Sequence, residues 1–307
     1  MINRSLIRVK VLQVLYNYYH KESMSISAAQ ETLEAAMESD YRVYLYLCGL
    51  PLDFSDLARK LIGIEEGKFS PDPDRLSLLR ALESNPVVQH IESDQDFVVR
   101  RMATSVFHNP EMSESHESIL SELLDEQSFR ASQLETFEGA RQFYRNLYGD
   151  KYRQSDRVYD ILETTDAFVT DADLPVIFSF VTKFYNGLDP DKEVSDLLRP
   201  KFASKSDGDF GSTLLRAAID NKEAYRERIS GYFKGWDAER VSEVDYLLLQ
   251  MAMAEAVAFP TIATTVTINE YLNLAHSFSS DNSYVFINGI LFRLFTDLKE
   301  EGKIIGD

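Results

Sequence analysis

The sequence predicts an all-α protein, and three observations toward its C-terminal end carry that prediction. Val241, Val244, Leu248, Met251 and Glu255 recur at alternating spacings of three and four, with Leu247 and Ala252 widening the stripe. That spacing puts them on one face of a helix, which Pro260 ends. Thr267 stands three residues before Glu270, a capping-box spacing that predicts a second helix from Ile268. Ile268, Leu272, Ala275 and Phe278 supply its apolar side. The polar run 279–283 offers Asp281 or Ser283 as N-cap of a third helix, carrying Val285, Phe286, Ile290, Leu291, Leu294 and Phe295.

Two residues in these helices need a reason. Glu255 falls on the apolar stripe, where an unpaired carboxylate is costly. It is expected to accept hydrogen bonds from backbone amides or from Asn269. Gly289 lies inside the third helix, where glycine costs about 1 kcal/mol relative to alanine. A close helix contact there is the expected compensation.

Earlier in the chain, residues 4–19 form a helical candidate with Val11, Leu12, Leu15, Tyr18 and Tyr19 on one side. Residues 25–39 read as a helix with Ile26, Ala29, Leu33 and Met37 inward. Residues 41–50 are partly β-branched and aromatic, so a strand is possible. Their surroundings favour a buried helix ended by Gly49 and Pro51. Residues 53–62 continue in helical style, a short helix is expected at 74–83, and 87–107 regain apolar periodicity. The segment 111–140 holds eight acidic residues and one basic one yet keeps a run of leucines, which predicts a negatively faced helical region. Residues 141–153 combine arginines and Lys151 with Phe143, Tyr144, Tyr148 and Tyr152. Such a stretch can stack on bases. Alternatively its tyrosines pack inward while its cations pair with the acidic segment. An apolar helix pair follows over 159–188, and the small, polar residues 203–212 read as a surface loop.

Composition bounds the function. The chain has 307 residues, 44% of them hydrophobic, enough for one large or two smaller packed domains. Cys48 is the single cysteine, which excludes an intrachain disulfide and a cysteine-based zinc site. No signal peptide or membrane-length apolar run is read, so a soluble, cytoplasmic protein is expected. The net charge of −18 opposes binding to phosphates over the whole surface. Any RNA site must be a local basic patch, and residues 1–21, with Arg4, Arg8, Lys10 and Lys21 but no acidic residue, are the clear reversal. Those cations can equally be the solvated side of an amphipathic helix.

Enzyme chemistry finds little support. No G-x-G-x-x-G or P-loop spacing occurs. His108 and His116 with Glu111, Glu114 and Glu117 lack a metal-ligand spacing, and a solvated loop is the expectation there. Cys48 among Leu47, Leu50 and Tyr44 reads as a buried, inert thiol. No catalytic residue, metal or cofactor is expected.

Trp236 and Arg240, Val244-Asp245, Glu255, the run Val266-Thr267-Ile268-Asn269-Glu270 and the run Phe286-Ile287-Asn288-Gly289-Ile290-Leu291 resemble, in order, the signature of the NusB family. These are bacterial transcription antitermination factors, and the resemblance covers 236–291. It implies a NusB-like helical bundle with an arginine-rich first helix, where Leu15-Tyr16 fits the family's Leu-Tyr pair. It also implies binding to NusE, the small-subunit ribosomal protein, and with it to boxA RNA, within the RNA polymerase antitermination complex. Carried over by position, Arg4, Arg8, Lys10, Asn282 and Phe286 are the expected RNA contacts. Tyr16 and Asp245, the latter facing outward, are the expected partner contacts. Ser5 and Leu6 stand where the family commonly has arginines, as does Gln250.

A NusB domain is normally less than half this length. The expected organisation is a first helix at 1–22, a mostly helical insertion or extension at 23–171, and the main part of the domain at 172–307. Either 39–62, or the block 173–188 followed by 219–233, matches the family's middle helices. A protein-interaction scaffold that kept the fold but lost RNA recognition is the alternative function.

Overall fold

The computed structural model describes residues 1–21, 23–125, 130–233, 241–280 and 283–305. Trp236, Arg240, Asp281 and Asn282 lie outside them. The regular secondary structure of the described residues is helical, apart from one isolated parallel bridge between Ile2 and Phe202. They form two compact units: Met1 with Glu38–Lys201, and Ile2–Met37 with Phe202–Asp307.

The second unit is assembled from both ends of the sequence. It contains α1 (Arg4–His20), the first half of α2 (Ile26–Cys48), α12 (Lys205–Asp220), α13 (Lys222–Ser230), α14 (Glu243–Ala258), α15 (Thr264–Phe278) and α16 (Ser283–Glu300). Asn3 caps α1 by accepting from the Leu6 amide at 2.9 Å. α1 packs on α12 and α14, and α14, α15 and α16 pack successively. Every residue of α14 from Leu247 to Ala256 is buried. The single apolar stripe expected for this helix is therefore wrong: α14 is the central helix, covered on all sides.

Residues 203–212 are not a loop. The Ser204 hydroxyl accepts from the Asp207 amide at 3.2 Å and starts α12, and Phe210 and Gly211 are buried within it. A Cβ on Gly211 would lie 2.8 Å from a methyl carbon of Ile7, so this glycine lets α12 approach α1. Gly289 has no such role, since a Cβ there meets nothing within 4 Å. α15 starts at Thr264, three residues before the expected Thr267 cap, and the Thr267 hydroxyl, inside the helix, is used elsewhere, as described below.

The first unit holds the rest of α2, then α3 (Leu50–Glu66), α4 (Pro73–Glu83), α5 (Pro86–Ser93), α6 (Gln95–Arg101), α7 (Pro110–Asp125), α8 (Phe137–Asn146), α9 (Asp156–Thr165), α10 (Leu174–Gly187) and α11 (Val194–Leu197). Short 3₁₀ turns follow α6 and precede α8, and a π-helical turn, Leu147–Tyr152, follows α8. The segments 25–39 and 41–50 are one helix, α2, which ends before Gly49, and Pro51 sits in the first turn of α3.

Tyrosines dominate this core. Tyr148 donates to the Phe178 carbonyl at 2.9 Å and Tyr185 to the Leu47 carbonyl at 2.8 Å, so each buried ring keeps its polar tip satisfied. Tyr144, Tyr148 and Tyr152 are buried, while Lys151 pairs with Glu122 at 3.1 Å and Arg141 with Glu138 at 2.6 Å. The inward reading of 141–153 is the one the fold adopts. His116 is not in a solvated loop: it is buried in α7, and its Nε2 meets the Tyr46 hydroxyl at 3.0 Å. Burial pushes the His116 imidazole down to about 4, so it is neutral near pH 7. Cys48 is buried, and burial holds its thiol well above the usual range. Among the described residues, no helix is long and apolar enough to cross a membrane, and no three His, Cys, Asp or Glu side chains are placed to hold a metal.

Candidate RNA and partner interface

Six of the seven expected contact residues fall in the described part of the second unit, on α1, α14 and α16; Asn282 is outside it. α1 holds four of them, and the interior takes most of its cations. Arg8 is 3% exposed and grips Glu255 bidentately, its Nε and Nη2 each 2.7 Å from a carboxylate oxygen. Glu255, at 0% exposure, also accepts from the Thr267 hydroxyl at 3.0 Å and the Tyr271 hydroxyl at 3.1 Å. Its partners are thus three side chains, and not the backbone amides or Asn269 expected from sequence. Nη1 of Arg8 reaches Glu270 at 3.1 Å, and Ser5 donates to the same Glu270 oxygen at 2.7 Å. Burial works against the Arg8 charge, yet the Glu255 bonds outweigh it and hold the guanidinium above its ordinary range. Burial, then the neighbouring Glu255 charge, keeps the Tyr271 phenol well above its usual range.

Lys10 is also buried, so neither it nor Arg8 has the surface position expected of a phosphate contact. Arg4 remains accessible: its side chain is 37% exposed and pairs with Asp207 at 2.8 Å while lying 5.1 Å from the Phe210 ring centre. Phe286 is buried against Phe233, with ring centres 5.6 Å apart. Its helical phase turns it into the bundle, away from any position where it could stack on a base.

Asp245 is buried as well, contrary to the outward position expected. One of its oxygens accepts from Ser279 at 2.5 Å and the other from Ser283 at 3.0 Å. Ser283 is the first residue of α16, so this carboxylate ties the start of α14 to the α15–α16 junction. Tyr16 is exposed at 41% and stacks on His20 with ring centres 4.1 Å apart. Beside it runs an open groove of about 290 Å³ lined by Leu12, Gln13, Tyr16, Asn17, Val244 and Phe278. Gln250, buried where the family commonly has arginine, donates to the Tyr19 hydroxyl at 2.7 Å and the Ala218 carbonyl at 2.8 Å.

Sequence reasoning missed the groove. Val244 and Phe278 read as ordinary core positions, and only their places near helix ends hinted that they border solvent. It also missed Glu270 as the second acceptor for Arg8, because the pair is far apart in sequence.

The family match falls largely on this unit. The family model described as the NusB family matches residues 183–295. The transcription antitermination protein NusB of Symbiobacterium thermophilum is 31% identical over 121 residues, which is 37% of this chain and 79% of that protein. The chain belongs to the NusB family. The NusB of Geobacter sulfurreducens is 34% identical over 93 residues, 30% of this chain and 67% of its own length. That of Oceanobacillus iheyensis is 33% identical over 85 residues, 28% of this chain and 68% of its own. No solved structure gives a significant match. NusB proteins are transcription antitermination factors and not enzymes, and this member carries additional helices beyond the matched region.

Proposed function

We propose that this chain is a cytoplasmic transcription antitermination factor that binds the boxA element of nascent ribosomal RNA together with NusE, and so helps RNA polymerase read through terminators. The observation that carries this reading is family membership combined with the open groove beside Tyr16. An exposed aromatic at the rim of an apolar groove suits a protein partner. In this reading NusE binds there, and Asp245 serves the site by fixing the helix ends behind it.

RNA affinity is shared between the two proteins. Arg4 supplies the accessible cation of α1, and a basic partner supplies the remainder of the positive surface. Arg8, Lys10 and Phe286 support the RNA face from within by holding α1 and α16 in place. The burial of these three favours a second reading, in which the protein is a scaffold that binds a basic partner without RNA.

Fluorescence anisotropy of boxA-type RNA, with and without NusE at two salt concentrations, separates the two. The antitermination reading expects weak binding alone, stronger binding with NusE, and loss at high salt. Arg4→Ala should lower RNA affinity with NusE still bound, and Tyr16→Ala should lower NusE affinity. NusE binding with no RNA retained in any mixture would leave the scaffold.

A further inference from the structure

His20 is the last residue of α1 and Glu243 the first of α14, and the two meet beside the Tyr16 groove. The His20 ring stacks on Tyr16 with the two planes 27° apart. Both of its nitrogens face oxygens that can only accept. Nδ1 lies 2.8 Å from the Tyr16 carbonyl oxygen, and Nε2 lies 3.2 Å from a carboxylate oxygen of Glu243. A neutral imidazole carries one ring proton and can donate to one of them, which sets a lone pair against the other. Only the imidazolium makes both bonds.

Among the described residues, Glu243 is the charged group that touches this ring. Asp245, also on α14, spends its two oxygens on Ser279 and Ser283. On α13, Lys222, Glu223 and Arg226 act on Tyr19 instead. Arg216 and Asp220 of α12 pair with each other, and Lys21, next along the chain, is exposed.

We propose that His20 and Glu243 are positioning residues for the groove, joined only while His20 is protonated, so that partner binding there strengthens as pH falls. This rests on the reading above, in which NusE occupies the groove. Leu12, Gln13, Tyr16 and Asn17 of α1 form one wall, and Val244 of α14 belongs to the other. His20 lies one turn beyond Tyr16, and Glu243 immediately precedes Val244. The closed pair therefore ties the two walls together and holds the Tyr16 ring in its stack before the partner arrives. A side chain ordered in advance spares the partner the cost of ordering it. Loss of the proton leaves Glu243 without its donor and unties the walls at this end. Because the form that binds best holds the proton, linkage makes affinity rise as pH falls.

Charge acts in the opposite direction and can be separated. Deprotonation bares Glu243, which attracts a basic partner at long range. At about 1 M salt the screening length is about 3 Å, so that attraction fades while the hydrogen-bonded contact remains.

Fluorescence anisotropy of labelled NusE with the full chain, from about pH 6 to about pH 8 in about 1 M salt, tests the proposal. The parent should bind about three- to tenfold more tightly at the acid end, the effect of one side chain ordered beforehand. His20→Phe keeps a ring against Tyr16 with nothing to titrate, and should show the parent's alkaline affinity at both ends. Glu243→Gln offers an amide that donates to the bare nitrogen or accepts from the protonated one, and should bind without pH dependence. The two side chains are 44% and 51% exposed, so neither change disturbs the core, and far-ultraviolet circular dichroism checks the fold. A merely structural role would lower affinity equally at every pH. A flat parent profile overturns the proposal and leaves NusE binding intact. The same slope in His20→Phe also overturns it, assigning the titration to another group. A chain that binds no NusE at any pH sinks the function proposed above, and this inference falls with it.

Discussion

Removing the Arg8 guanidinium would leave Glu255 buried with only two hydroxyl donors. Breaking a buried pair in this way typically costs about 3–5 kcal/mol, whereas replacing both partners by apolar residues costs much less. Arg8→Ala should therefore lower the urea midpoint strongly, and Arg8→Met/Glu255→Leu should recover much of that loss. If Arg8→Ala melts like the parent, the bridge does not hold α1 in place. His116 gives a second prediction. Its folded value near 4 lies below the ordinary 6.5, so the unfolded chain binds more protons between those limits. Stability contributed by the neutral imidazole is complete above pH 6.5 and is lost as pH falls toward 4, by roughly 3 kcal/mol at most. Asp53, held low by His108 and Arg101 against the cost of its burial, loses its own contribution at still lower pH. His116→Phe should flatten the slope between pH 6.5 and 4 in a denaturation series, and an unchanged slope would assign it to other groups.

Helices that share a residue type can respond to substitution with opposite signs. At Gly211 the new methyl group of alanine meets Ile7 and Leu33, at 2.8 and 3.3 Å. Overpacking of this kind costs about 1–3 kcal/mol, against a propensity gain of about 1 kcal/mol. At Gly289 the methyl group enters open space and only the gain remains. Thermal melts should show Gly211→Ala destabilised and Gly289→Ala stabilised. Sequence could not separate these glycines, because periodicity reports a residue's face and not what stands opposite it. For the same reason α1, α15 and α16 were legible as helices, while the start of α12 was hidden behind polar residues whose cap, Ser204, went unread. The site was less legible than the fold. Arg8, Lys10, Phe286 and Asp245 carry the residue types of a surface and occupy interior positions, and only the partners across the bundle reveal it. Tyr16 and Arg4 keep the exposed positions expected of them, Arg4 while paired with Asp207.

Over the whole chain, the acidic excess sits mainly in the first unit. Residues 38–201 carry 31 acidic against 18 basic side chains, and the remainder 19 against 14. Self-repulsion therefore weighs on the first unit. Raising salt from about 0.01 M to about 1 M shortens the screening length from about 30 Å to about 3 Å. Hydrogen exchange should slow more within 38–201 than within α12–α16, and a uniform change would show that local ion pairs already absorb the excess. The second unit has a different debt to sequence distance. Arg8 and Glu255 are 247 residues apart. At a synthesis rate of about 5–20 residues per second, α1 leaves the ribosome roughly 10–50 s before its carboxylate partner exists. Over that interval the buried face of α1, with Leu6, Ile7, Val11 and Leu15, waits first for α12 and then for α14 to complete the bundle that covers it.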